Sequence, residues 1–299
     1  MLLDAARQLD VVNAFDVERA PTMGRVVTLR LVDWSIILPF FNERDFIGVT
    51  LASLAAQTQR FRLILVDNGS TDGSADIAMH ACDQLGLDWA LLTERRPGKV
   101  AALASGLERV RTTLVATCDA DTWYPPDYLA RAEVLLAVPG NVAAGAFFAG
   151  KDDRATRWRR ALHISVMPSL LRRQCLSGGA GQVFRTAALR RVGGFDVKRW
   201  NFVLEDHEIM HRLQEEGGLK YGMRFWCAPS LRARDREASR WTLGERILYH
   251  TLAPIAGGWF FYRFLAHRLD RRGMTSERLR ERPFQALRIV DAPAHSLRG

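Results

Sequence analysis

Two aspartates one residue apart, Asp119-Ala120-Asp121, follow a short apolar run and precede Trp123-Tyr124-Pro125-Pro126. Carboxylates so spaced can share a hard divalent cation such as Mg2+ or Mn2+ and leave coordination positions for a diphosphate. The same tripeptide also suits a solvated turn with an Asx cap. Asp67 is a third acid placed after an apolar run. Lys99 closes Arg95-Arg96-Pro97-Gly98-Lys99 just before a helical pattern. A helix N-terminus with Lys and Arg can hold a phosphate, and a solvated basic loop reads the same way. Glu205-Asp206 opens the segment LEDHEIMHRLQEEG. An acid there can be a general base or can simply compensate the helix dipole. Ser177-Gly178-Gly179-Ala180-Gly181 can bring backbone close to a ligand or be a plain loop. His207 and His211 have metal-ligand spacing with no third ligand evident. Arg240, before Trp241, can pair with a phosphate or cover apolar surface.

These residues need a frame, and alternating patterns supply one. Continuous apolar runs at 34–39 (WSIILP), 61–67 (FRLILVD) and 113–118 (TLVATC) read as buried strands, with a short one at 89–92 and a strand-like segment at 141–148. Between them, helical spacing covers 43–58, 74–85, 98–110 and 126–138, with Ser74 as an N-cap. That order predicts an α/β fold, a mostly parallel sheet flanked by helices. After residue 150 the pattern loosens to helices near 155–173, 186–192 and 204–216 and a strand at 220–227.

The 299 residues are 48% hydrophobic and 25% charged, which excludes disordered, collagen-like and simple coiled-coil chains. The net charge of +9 is uneven: residues 224–299 hold fifteen Arg, no Lys and seven acidic side chains, while the rest is nearly neutral. A pI near 9.9 asks for a polyanionic partner, yet the tail carries no nucleic-acid motif, so nucleic acid is not expected. Cys82, Cys118, Cys175 and Cys227 lack metal spacing and read as buried free thiols of a reducing compartment. The N-terminus reads as no secretory signal, and the expected location is cytoplasmic, with a peripheral place at the inner face of a membrane as the alternative. The apolar-rich run 247–262 is short for a spanning helix. Arg246 before it, and Arg263, Arg268, Arg271 and Arg272 after it, suit an interfacial helix at an anionic membrane. They equally suit a core helix with basic ends.

Taken in order, the segments 35–43 (SIILPFFNE), 65–72 (LVDNGSTD), Gly98-Lys99, Asp119-Ala120-Asp121, 179–185 (GAGQVFR), 192–196 (VGGFD) and Glu205-Asp206 resemble the family 2 glycosyltransferases. The resemblance covers residues 34–241. It implies a GT-A fold over 34–228, with a nucleotide-binding half at 34–125 and an acceptor-binding half at 126–228. It leaves an extension at 1–33 and a basic helical region at 229–299. It implies inverting transfer from a nucleoside-diphosphate sugar, with Mn2+ or Mg2+, to a glycan, lipid-linked or small-molecule acceptor. Pro39, Phe40 and Glu43 would lie at the nucleotide end, Asp67 and Asn68 beside the base, and Lys99 near phosphates or base. Asp119 and Ala120 would face ribose or metal, Asp121 would ligate the cation, and Gly179 would line donor sugar and acceptor. Asp206 would be the general base with Glu205 its neighbour, and Arg240 would reach the donor. Asn68 stands where many relatives carry Asp, and Glu237 where processive synthases carry Gln, so a non-processive enzyme is expected. A non-catalytic sugar-nucleotide-binding protein on the same fold is the alternative.

Overall fold

A run such as WSIILPF offers no wet face, and every residue of strand β1 (Trp34–Phe40) is buried in the computed structural model of the chain. The structure describes residues 34–150, 153–170, 174–176, 178–230 and 241–280. The extension at 1–33 and Arg240 therefore lie outside the described residues. Helix α1 (Ile47–Ala55), β2 (Phe61–Asp67), α2 (Ser74–Gln84), β3 (Trp89–Thr93), α3 (Lys99–Arg109) and β4 (Leu114–Thr117) follow β1 in alternation. Next come β5 (Thr122–Trp123), α4 (Tyr128–Ala137), β6 (Asn141–Phe148), α5 (Arg154–Leu170), β7 (Gln182–Arg185), α6 (Thr186–Arg191), α7 (Glu205–Leu213) and β8 (Gly218–Pro229).

The strands form one sheet in the order β3-β2-β1-β4-β7-β6-β8-β5. β1 pairs in parallel with β2 and β4, and β2 with β3. β7 runs antiparallel to both β4 and β6, and β8 returns parallel to β6. Period-two alternation sorts the apolar side chains to two faces. Ile36, Leu38, Leu63 and Leu65 pack against α1 and α4, while Ile37, Ile64 and Val66 pack against α3 and α7. At Gly106 an added Cβ would lie 2.4 Å from Ile37 Cγ2, so glycine lets α3 sit directly on β1.

Several sequence expectations are corrected. The helix expected over 43–58 is confined to Ile47–Ala55, because residues 43–46 form a turn in which the Glu43 carbonyl accepts from the Phe46 and Ile47 N–H groups. Ser74 is not the N-cap of α2; Gly73 is, and the Ser74 hydroxyl instead accepts from the Glu43 N–H. β5 and β7 were not anticipated. Two and four residues are too short to show a period, and β7 lies beside a glycine-rich loop.

Beyond β8 come α8 (Leu243–Thr251), α9 (Ala253–Trp259), a π-helical turn over Phe260–Leu265, α10 (Ala266–Arg271) and α11 (Ser276–Arg280). The expected run 247–262 is divided between two faces. Tyr249, Ala253, Phe260 and Phe261 share a core with Trp200, whereas Ile247, Ile255 and Trp259 are exposed. Among the described residues no helix is long and apolar enough to cross a membrane.

Candidate active site

The chain leaves β1 toward β2 on one side and re-enters beside it as β4 on the other. Such a reversal opens a crevice beyond the carboxyl ends of the strands. Asp119 follows β4 into it. Lys99 enters from the first turn of α3, and the Lys99 Nζ donates to Asp119 Oδ1 at 2.6 Å. The same ammonium lies 3.4 Å from Glu205 Oε1. Leu204, left-handed at φ 65°, turns the chain so that Glu205 and Asp206 open α7. A bulky residue there is strained, a cost of roughly 1–3 kcal/mol that often marks functional sites.

Burial opposes the charge of Lys99, but Asp119, Glu205 and Asp206 together raise its pKa. The Glu205 carboxyl is pushed up by burial and by Asp206, against the pull of Lys99. Asp206 goes the other way. Burial would raise it, yet the His207 ring, then Lys99, hold it below the usual carboxylate range. The Asp206 Oδ1 accepts from the His207 backbone N–H at 2.9 Å and lies 2.9 Å from the ring Nδ1. Two adjacent acids thus acquire opposite tendencies, an arrangement typical of acid–base sites.

Glycine and tyrosine complete the floor. A Cβ on Gly179 would stand 3.3 Å from Asp206 Cβ and 3.4 Å from Lys99 Nζ. The Tyr124 hydroxyl accepts from the Asp119 N–H at 2.9 Å and donates to the Ala180 carbonyl at 2.6 Å, tying the aspartate loop to the glycine loop. The Gln182 side chain donates to the Asp206 carbonyl at 3.0 Å. Asp121 is buried; its Oδ2 accepts from the Ser230 hydroxyl at 3.1 Å. Carboxylate and hydroxyl oxygens are a donor set suited to Mg2+ or Mn2+. Among the described residues no three His, Cys, Asp or Glu side chains gather into a metal cage.

The expected nucleotide-end residues are placed differently from one another. Phe40 and Ala120 are core side chains, and Pro39 is buried in β1. The Asp67 Oδ1 accepts from the Ser70 N–H at 2.9 Å, shaping the loop after β2. Asn68 spends both ends of its amide on backbone. It donates to the carbonyls of Glu94 at 3.0 Å and Arg96 at 2.7 Å and accepts from the Gly98 N–H at 2.7 Å. It therefore fixes the loop that delivers Lys99. His207 and His211 do not converge: His207 faces Asp206, and His211 stacks on Phe261 with centroids 5.2 Å apart. Tyr124, Gln182, Ser230 and the His207–Asp206 bond were missed from sequence. Each acts across a separation or by a geometry that motif spacing does not encode.

The family model for "Glycosyl transferase family 2" matches residues 35–197, more than half of the chain. The chain belongs to this family. An undecaprenyl-phosphate 4-deoxy-4-formamido-L-arabinose transferase of Serratia proteamaculans is 33% identical over 150 residues, 48% of this chain and 45% of the relative. The chain thus spans less than half the length of the curated relatives it matches. A mannosyltransferase from Pyrobaculum calidifontis, solved with GDP-Man and Mn2+, superposes with a TM-score of 0.59 at 22% identity. That match covers 75% of this chain and 62% of that one. S. aureus TarS in complex with UDP-GlcNAc gives a TM-score of 0.53 at 17% identity, covering 80% and 70%. These structures establish the α/β GT-A fold of the family 2 chain.

Proposed function

We propose that this family 2 chain is a metal-dependent inverting glycosyltransferase. It moves a sugar from a nucleoside-diphosphate sugar to an acceptor hydroxyl, with Asp206 as general base. The observation that carries the reading is the opposed pair at the start of α7: Asp206 held ionised by His207, and Glu205 beside it bridged through Lys99 to Asp119. Asp121, with Asp119, would hold Mn2+ or Mg2+, and the bound cation supplies positive charge against the leaving diphosphate. Lys99 adds a fixed ammonium at the same crevice. Gly179 leaves room for sugar where any side chain would crowd Asp206. Asp206 accepts the acceptor's proton as that oxygen attacks the anomeric carbon from the face opposite the diphosphate. One displacement inverts the anomeric configuration.

The curated relatives are named for transfer to undecaprenyl phosphate, and a lipid-linked acceptor is part of this proposal. A phosphate acceptor brings an oxygen that is already ionised and needs no base. A panel of nucleotide sugars, with and without Mn2+, read by thermal shift and by nucleoside diphosphate release, tests the reading. Asp121→Asn should abolish the Mn2+-dependent part of the donor shift. Asp206→Asn should keep donor binding and lose transfer to hydroxyl acceptors by about two to four orders of magnitude. Undiminished release by both variants would refute the mechanism. Loss of hydroxyl transfer with retention of transfer to a polyprenyl phosphate would identify the phosphate as the natural acceptor.

A further inference from the structure

Helices α8 and α9 present two apolar faces where a surface helix needs one. Tyr249 and Ala253, with Phe260 and Phe261 of the π-helical turn that follows, are turned into the core around Trp200. On the opposite side Leu243 is 75% exposed, Ile247 55%, Ile255 86% and Trp259 49%. Leu243 and Ile247 are i and i+4 on α8 and share its outer face, whereas α9 is kinked at Ala256 (φ −127°, ψ 44°), with Ile255 and Trp259 exposed on either side of the kink. Scattered exposed apolar residues are ordinary, but four large ones within seventeen residues of two consecutive helices are a surface with a purpose.

Along residues 243–263 the exposed charge is of one sign. Arg246 and Arg263 are exposed. The acid of α8, Glu245, is buried and consumed by the Thr242 cap and by Arg268 at 2.9 Å and Arg272 at 3.0 Å. Between Leu243 and Arg263 no other acidic residue occurs. A cavity of about 890 Å3 adjoins the ridge, with Ile255, Trp259 and Tyr262 on one wall and Arg191, Arg199, Arg212 and one acid, Glu215, among its other lining residues. Apolar side chains with Trp and Tyr beside exposed Arg match the boundary between acyl chains and anionic headgroups. A second copy of this chain docked by a two-fold axis across the ridge would set these arginines against their own counterparts.

We propose that the outer face of α8 and α9 is a membrane-docking surface for bilayers containing anionic phospholipid. Leu243, Ile247, Ile255 and Trp259 enter the acyl boundary, and Arg246 and Arg263 lie at the lipid phosphates. The inference extends the lipid-linked reading of the acceptor but is independent of the reaction, because binding to vesicles is read without turnover. The test uses the full chain with sucrose-loaded vesicles of phosphatidylcholine alone, or with about one third phosphatidylglycerol. The wild type should sediment with the anionic vesicles, less with the neutral ones, and less again at high salt. The double variant Ile247→Glu/Ile255→Glu should weaken partitioning at least about tenfold, and Arg246→Gln/Arg263→Gln should remove most of the preference for anionic lipid. Both pairs are exposed, so melting temperatures and donor binding should be retained. If the glutamate variant does not fold, Ile247→Ser/Ile255→Ser serves in its place. Failure of the wild type to sediment, or equal sedimentation of the variants, overturns the proposal. So does a wild-type dimer that Ile255→Glu converts to monomer without any vesicle binding, which would give the face to a second copy.

Discussion

Replacing His207 by Phe isolates what the ring does for Asp206. Phe keeps a planar ring between Trp241 and Tyr249, whose centroids lie 5.4 and 5.6 Å from that of His207. It removes the Nδ1 contact at 2.9 Å and the charge, while the backbone N–H of residue 207 still reaches Asp206 Oδ1. Asp206 then keeps the burial that raises its pKa and loses the largest influence that lowers it. A hydrogen bond between charged groups contributes about 1.5–3 kcal/mol, and one pKa unit corresponds to about 1.4 kcal/mol. The Asp206 pKa should therefore rise. A base must be ionised to act, so the acid limb of kcat/KM should move up in pH. The assay is nucleoside diphosphate release across about pH 4–9, the range spanning the two ordinary pKa values.

Stability gives a second readout. Burial alone would lower the His207 pKa, but Asp206 and then Glu205 raise it in the folded chain. Its contribution is thus fully present below the ordinary histidine pKa and is lost as pH rises through the raised value. The lowered Asp206 contributes above the ordinary aspartate pKa and loses this as pH falls through its folded value. The melting gap between wild type and His207→Phe should be widest between these limits and close at alkaline pH. Coincident acid limbs together with a pH-independent melting gap would show that the ring only packs, and would refute the reasoning.

Glu208→Ala should destabilise the fold by about 3–5 kcal/mol in urea titration, since it strands Arg212, whose Nε lies 2.7 Å from Glu208 in a buried pair. The same change removes the acceptor of the Tyr262 hydroxyl, so Arg212→Leu in the Glu208→Ala background should recover part of the loss. Asn68→Asp should cost about 1–3 kcal/mol and lower donor affinity, because a carboxylate would face the Glu94 and Arg96 carbonyls where an amide now donates. Equal stability of this variant would mean that the 94–98 loop is not held by that amide.

Much of the frame was legible from composition and period. β1, β2 and β6 are apolar runs bounded by polar or turn residues, and their ends were read to within a residue or two because burial on both faces leaves no alternative pattern. The acids at strand ends and at the start of α7 were equally plain, since strand, turn and helix start are local signals. What these residues touch was not local. Lys99 is 20 residues from Asp119 and 106 from Glu205 in sequence, and only the fold of α3, β4 and α7 about one sheet brings the three together. That the Asn68 amide holds the loop at 94–98 was not local either. The exposed apolar side chains of α8 and α9 lie in a run rich in apolar residues. Hydrophobic period alone cannot choose its buried face, and the choice was made by the Trp200 core. Sequence by itself determined the kind of fold and the chemical types at the crevice, because both follow from neighbours along the chain. Tertiary structure decided which acid is held ionised, which residue only supports a loop and which surface stays outside, because those depend on contacts between segments that the chain keeps far apart.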